Sequence, residues 1–332
     1  GVVVALLTAR ALPARPGGSM SAMYTVLAGG VGASRFLQGL AMAVPPRDIT
    51  VISNTGDDLE FAGLHVSPDT DIVIYALAGA VNPETGWGLA GDTFAVVEAL
   101  QRFGYERWFN LGDRDLAMAL HRTRLLREGW PMHRIAADLA RAWGLETRIL
   151  PMSDDPVRTV VLAPGGELPF QEYMVRLRTE PEVQGFRFAG AETARPAPGV
   201  LEAIRDARAV ILAPSNPFVS IGPILAVPGI REALAETRAA RAAISPVIAG
   251  QVVKGPAAKM LAALGHEVSA LGVARLYAGL IDLFVLDTAD AALAPAVEAL
   301  GLRALVTETL MTTPERKRDL AAAVVAALEG AR

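Results

Sequence analysis

The chain has 332 residues, 52% of them hydrophobic and 20% charged, and no cysteine. That composition supports a core worth roughly two domains and excludes an intrinsically disordered chain, disulfides, thiol nucleophiles and thiolate metal sites. The formal charge of −4 leaves no electrostatic footprint for nucleic acid, and the four histidines lack the spacing of a zinc site.

Residues 1–22 are rich in Ala and Arg, with a short apolar run at Val2–Leu7. A signal peptide places its charge before the apolar run, and this segment does not. It is read as a disordered extension or as a start assigned too early, with Met20 or Met23 as the natural beginning. Strand-like apolar runs follow at 24–28, 49–53, 147–150, 158–163, 209–213, 243–248, 282–286 and 302–306. Helix-like segments fall at 33–43, 69–79, 91–103, 198–206, 229–240, 256–264, 289–299 and 314–328. This alternation predicts an α/β fold with a mainly parallel sheet and helices on both faces. Residues 112–145 differ. They predict two helices, Asp113–Arg127 and Met132–Ala142, broken at Gly129 with no strand between. The expectation is a small all-helical insertion on a body formed by 23–111 and 146–332. Ala209–Ile230 carries no charge but holds four prolines (214, 217, 223 and 228), so it predicts a buried strand, a loop and a short helix rather than a membrane span. A soluble, cytoplasmic protein with no membrane partner is expected.

Several strand ends carry residues suited to phosphate chemistry. Leu27–Arg35 (LAGGVGASR) joins an apolar run to a helix-like stretch. Glycines there let backbone N–H groups approach an anion, and the helix end adds partial positive charge. The segment matches neither the P-loop pattern nor the dinucleotide fingerprint. Ser53–Asp58 follows the second strand-like run. Its adjacent Asp57 and Asp58 suit a divalent ion bridging phosphates, or equally a solvated Asx turn. Ser67–Asp71 opens an apolar helix. Asp69 and Asp71 there offer a second carboxylate face, or simply a cap and a favourable charge at the helix dipole. Trp87, between Gly86 and Gly88, suits stacking on a flat ring or plugging a core edge. Arg114, between Asp113 and Asp115, suits an anionic ligand or a surface salt bridge. Pro214–Pro217 (PSNP) offers hydroxyl and amide groups beyond a strand, as a tight turn also does. Lys254 and Lys259 flank Gly255-Pro256 and offer positive charge to a diphosphate, or sit as exposed lysines.

In this order the motifs resemble one family, the 2-phospho-L-lactate transferases of coenzyme F420 biosynthesis. The resemblance rests on LAGGVGASR (27–35), NTGDD (54–58), PDTD (68–71), GWG (86–88), LGDRD (111–115), FQE (170–172), PSNPFVSIG (214–222), LAVPGIR (225–231) and Ser245-Pro246. It runs from about Tyr24 to the C-terminus. It implies a Rossmann-like three-layer sandwich with a helical subdomain, and a homodimer. It further implies transfer of a phosphorylated three-carbon acid from its guanosine diphosphate ester to the deazaflavin alcohol Fo (7,8-didemethyl-8-hydroxy-5-deazariboflavin), with GMP leaving and Mg²⁺ required. On that resemblance Asp57, Asp58, Asp69 and Asp71 are the candidate metal ligands, and Asp57, Asp58 and Asp71 the candidate catalytic acids. Gly29, Gly30, Gly32, Ser34, Arg35, Asn54, Ser215, Asn216 and Pro217 are expected around the guanylyl diphosphate. Trp87 and Arg114 are expected to position Fo or the carboxylate. The rival expectation is a regulatory nucleotide-sugar-binding protein of similar fold, without turnover; GWG and LGDRD favour the transferase.

Overall fold

The structure is a computed structural model that describes residues 23–330; the expectations for residues 1–22 fall outside them. Seven strands form one parallel sheet: β1 (Tyr24–Ala28), β2 (Ile49–Ser53), β3 (Arg148–Pro151), β4 (Ala209–Leu212), β5 (Ala240–Ile244), β6 (Leu283–Asp287) and β7 (Arg303–Thr307). Every residue of β1, β2, β4 and β6 is buried, the pattern of strands covered on both faces. The spatial order is β7-β6-β5-β4-β1-β2-β3. Val26 of β1 pairs with Val51 on one side and Ile211 on the other. The chain therefore builds outward from β1 twice, in opposite directions. The reversal lies between β1 and β4, and a crevice opens there beyond the carboxyl ends of the strands.

Alternate residues along each strand feed two separate apolar layers. Leu27, Ile52, Leu212 and Phe284 join the helices Val200–Arg205, Ile230–Glu236 and Ala270–Tyr277. Val26, Val51, Ile211 and Val285 join α1 (Gly30–Ala43), α2 (Pro68–Leu77) and the later α3 (Asp113–Arg127), α4 (Met132–Ala142) and α5 (Pro314–Glu329). The result is the expected three-layer α/β sandwich. A smaller apolar cluster gathers Phe61 and Val66 of the hairpin Leu59–Phe61/Leu64–Val66 with Val97, Leu111, Leu116 and Ala119. It anchors α3 and the short helix Ala95–Leu100 beside the sheet.

The structure differs from the predicted elements in several places, the hairpin Leu59–Phe61/Leu64–Val66 among them. The run 158–163 is a strand, Arg158–Ala163, but it pairs antiparallel with Gly166–Pro169 and Gly185–Ala189 outside the main sheet. Its residues alternate between buried and half-buried, as one wet face requires. The helix expected over 229–240 ends at Glu236, and Thr237 turns the chain by donating to the Ile204 carbonyl at 3.0 Å. The run 243–248 divides into the end of β5 and a two-residue strand, Val247–Ile248, that pairs with Gln251–Val252. The helix Ala270–Tyr277 was not anticipated; Ser269 caps it by accepting from the Gly272 N–H at 3.0 Å. Within 209–230 the chain forms β4, a wide turn Pro217–Ile221 and a short helix Gly222–Ala226. Among the described residues no single helix is long and apolar enough to cross a membrane.

Helices α1 and α5 pack most closely at Gly39. A Cβ on Gly39 would collide with the Lys317 carbonyl. Alanine is favoured over glycine inside a helix by about 1 kcal/mol, but overpacking a rigid backbone contact costs about 1–3 kcal/mol. The steric cost wins. Gly39→Ala is expected to lower the thermal midpoint, measured by calorimetry; an unchanged or raised midpoint contradicts this packing.

Candidate functional site

The glycine turn after β1 is built for close approach. Gly30 has φ +72°, and its N–H donates to Asp69 Oδ1 at 2.8 Å. A Cβ on Gly29 would stand 2.5 Å from Asp69 Oδ2 and 2.8 Å from Ser220 Cβ. One on Gly32 would collide with the Pro214 carbonyl. The turn after β1 and the turn after β4 thus touch through backbone. Ser215 fastens them, its hydroxyl donating to the Gly29 carbonyl at 2.8 Å. Asn216 Oδ1 accepts from Phe218 N–H at 2.9 Å and Val219 N–H at 3.4 Å, and Pro217 starts the wide turn that follows. Ser34 is buried, its hydroxyl donating to Val31 within α1 at 2.9 Å.

Asn54, at the end of β2, is fully buried and gathers the acids. Its Nδ2 lies 3.0 Å from Asp57 Oδ1, 2.9 Å from Asp69 Oδ2 and 3.2 Å from the Val219 carbonyl. Its Oδ1 accepts from Gly56 N–H at 2.7 Å. Gln171 donates to Asp57 Oδ2 at 3.2 Å. Burial, then the charges of Asp69 and Asp58, push the Asp57 carboxyl well above its ordinary value. Burial also raises Asp69, to about 7, against the hydrogen bonds from Asn54 and Gly30 that favour its charged form.

The four candidate acids divide into two pairs. Asp57 and Asp69 line the cleft. Asp58 and Asp71 lie behind them. Asp58 accepts from Ser67 Oγ at 2.6 Å and sits 2.9 Å from His65 Nε2. Asp71 pairs with Arg122 of α3, which is wholly buried and also donates to the His65 carbonyl at 3.2 Å. Burial raises the Asp71 carboxyl even beside that guanidinium. Among the described residues no three Asp, Glu or His side chains converge into a metal cage. Mg²⁺ is commonly held by one or two carboxylates plus phosphate oxygens and water, not by an all-protein cage. The buried Asp57–Asp69 pair, held together through Asn54, fits that donor set.

The cleft has a volume of about 440 Å³. Gly29, Gly30, Gly32, Arg35, Asp57, Asp69, Trp87, Ser215, Asn216 and Lys254 line it. Trp87 is 37% exposed at its edge. Arg114 is outside the lining; its side chain donates to the Ala90 carbonyl at 3.0 Å and its N–H to Asp92. Lys259 is also outside, its ammonium held by the carbonyls of Thr179, Glu180 and Pro181. The lining adds residues that the reading of single motifs did not select: Gln171, Ser245 and the segment Thr309–Met311. Ser245 and Thr309 each sit just past a strand of the parallel sheet, which is the one sequence signal that marks them.

Removing one partner of a buried ion pair leaves the other charge unpaired, at about 3–5 kcal/mol. Arg122→Met is therefore expected to destabilise the fold by that amount in denaturant titrations. Adding Asp71→Leu to it is expected to recover most of the loss. A double variant as unstable as the single one contradicts the pairing.

The chain was compared with known proteins. Residues 24–306 match the family model for "2-phospho-L-lactate transferase CofD". The chain is 49% identical over 293 residues to the phosphoenolpyruvate transferase of Streptomyces griseus, covering 86% of this chain and 92% of that one. It is 42% identical over 289 residues to the 2-phospho-L-lactate transferase of Methanothermobacter thermautotrophicus, covering 87% and 92%. Among solved structures, a upf0052-family protein from Bacillus halodurans superposes with a TM-score of 0.60 at 18% identity, covering 93% of this chain and all of that one; it shows the shared fold. The family match over residues 24–306 and the identity to these two transferases show that the chain belongs to the CofD family of 2-phospho-L-lactate transferases.

Proposed function

We propose that this chain moves a phosphorylated three-carbon acid from its guanosine diphosphate ester to the terminal hydroxyl of Fo, releasing GMP. The observation that carries the reading is the meeting of the Gly29–Gly32 turn with the buried Asp57–Asp69 pair in one cleft at the strand-order reversal. Backbone N–H groups and a helix end suit the diphosphate. Mg²⁺ held by Asp57 and Asp69 would neutralise charge building on the phosphoryl oxygens. In the transfer, the Fo oxygen bonds to the phosphorus that bears the acid. The bond from that phosphorus to the bridging oxygen breaks, and GMP takes the electron pair. The hydroxyl proton would pass to a carboxylate oxygen of the pair that does not face the cation. Trp87 at the cleft edge offers a flat face for the deazaflavin ring. Among the three-carbon acids, the enolpyruvyl ester is the first choice, because the relative named for phosphoenolpyruvate is more similar to this chain than the one named for 2-phospho-L-lactate.

The test incubates the protein with Fo, Mg²⁺ and each of the enolpyruvyl, lactyl and glyceryl diphosphoguanosine esters, following GMP and the charged deazaflavin product. Turnover with one ester supports the reading; none with any ester overturns it. Asp57→Asn and Asp69→Asn are each expected to lower kcat/KM by on the order of 10²–10⁴-fold.

The raised carboxyls also set a pH dependence. A carboxyl whose pKa is higher folded than unfolded binds more protons in the folded state, so stability falls as pH rises between the two values. With Asp69 near 7 when folded and at an ordinary carboxylate value unfolded, that window spans about pH 4 to 7. The metal-free protein is expected to lose thermal stability across it. Mg²⁺ is expected to raise the midpoint more at pH 8 than at pH 5. Equal shifts at both values contradict binding to this pair.

A further inference from the structure

The cleft is acidic on one side of the α1 amino end and basic further along the same helix. Arg35, in the second turn of α1, lines the cleft, and so does Lys254, just after the short strand Gln251–Val252. The two heads converge over Gly86. A Cβ on Gly86 would lie 3.1 Å from Arg35 Nη2 and 4.0 Å from Lys254 Nζ. Lys254 is held there by a neutral group, donating to the Thr85 carbonyl at 2.9 Å. Among the described residues neither cation has a carboxylate partner within ion-pair distance. A third cation, Lys317, packs against α1 with its ammonium on Gln38 Oε1 at 2.7 Å. Burial and the charge of Arg35 lower the pKa of both lysines.

Like charges placed together without an acid between them oppose folding. Such a cluster in a cleft is suited to an anion that arrives with the ligand. The donor brings two kinds of oxyanion, its diphosphate and the carboxylate of its three-carbon acid. The diphosphate already has the Gly29–Gly32 turn and the Asp57–Asp69 pair. Arg114, the arginine that the sequence suggested for the carboxylate, is held outside the cleft by Ala90. Val253 lies beside the basic pair in the lining and offers an apolar wall for the methyl or methylene of the acid.

We propose that Arg35 and Lys254 together grip the carboxylate of the three-carbon acid, Lys254 leaving the Thr85 carbonyl for it when the donor enters. This rests on the donor assigned above, and it makes the pair the device that selects an acid-bearing diphosphate over a plain one.

Calorimetric titration without Fo separates the two oxyanions, because binding is then read with no transfer. The probes are the enolpyruvyl or lactyl ester of GDP and the ethyl ester of GDP, which keeps the diphosphate and lacks the carboxylate. With Mg²⁺ present, the unaltered protein is expected to bind the acid ester about 10–100-fold more tightly than the ethyl ester. Lys254→Met and Arg35→Gln are expected to bring that ratio close to one, because each weakens acid-ester binding more than ethyl-ester binding. Lys254→Arg, which keeps the charge, is expected to restore most of it. Equal binding of the two esters by the unaltered protein overturns the proposal. So does an equal loss of both in the variants, which assigns the pair to the diphosphate. If the ratio appears and falls as expected but Fo yields no GMP, the acceptor assignment fails and the carboxylate grip stands.

Discussion

Two carboxylates buried side by side are costly, and the site is organised around that cost. Asp57 and Asp69 repel each other across a region from which water is largely excluded. A single amide, Asn54, reaches both, and the Gly30 N–H steadies one of them. These contacts reduce the penalty without removing it. Burial therefore raises both carboxyls above their ordinary values, Asp69 to about 7.

The surrounding architecture follows from keeping that pair in place. Asn54 ends β2, Asp69 opens α2 and Gly30 opens α1, so three elements meet at one amide. Behind them Asp58 and Asp71 tie α2 to the hairpin and to α3 through His65, Ser67 and Arg122. Helix α3 is therefore attached there by an ion pair as well as by the apolar contacts of Leu116 and Ala119. Charge then changes sign along α1, from the carboxylates at its amino end to Arg35 one turn on.

Much of this was legible before the fold. Gly29–Gly32, Asn54–Asp58, Asp69–Asp71 and Pro214–Asn216 each follow or flank an apolar run, and ligands gather at the carboxyl ends of parallel strands. The division of the four acids was not legible, because it depends on Arg122, distant in sequence and brought close only by the packing of α3. Gln171 and Ser245 were visible only as fragments of family motifs; their approach to the cleft is set by the antiparallel sheet and by β5. Arg114 had the right chemistry in the wrong place, since a backbone carbonyl claims it. The run 158–163 misled for a related reason. Val160 and Leu162 are apolar but half-buried, so composition hid the alternation that marks an antiparallel strand.

The contact between α1 and α5 carries a consequence for a truncated chain. Tyr24, at the start of the central strand, donates its hydroxyl to Glu329 of α5 at 2.6 Å, and Gly39 of α1 rests on the backbone of Lys317. The helix that packs on α1 thus follows it in the chain by some three hundred residues. Without that helix the apolar face of α1 has lost part of its cover, and β1 needs β4 as well as β2 to complete its pairing. A chain lacking Pro314–Glu329 would leave that part of the face bare.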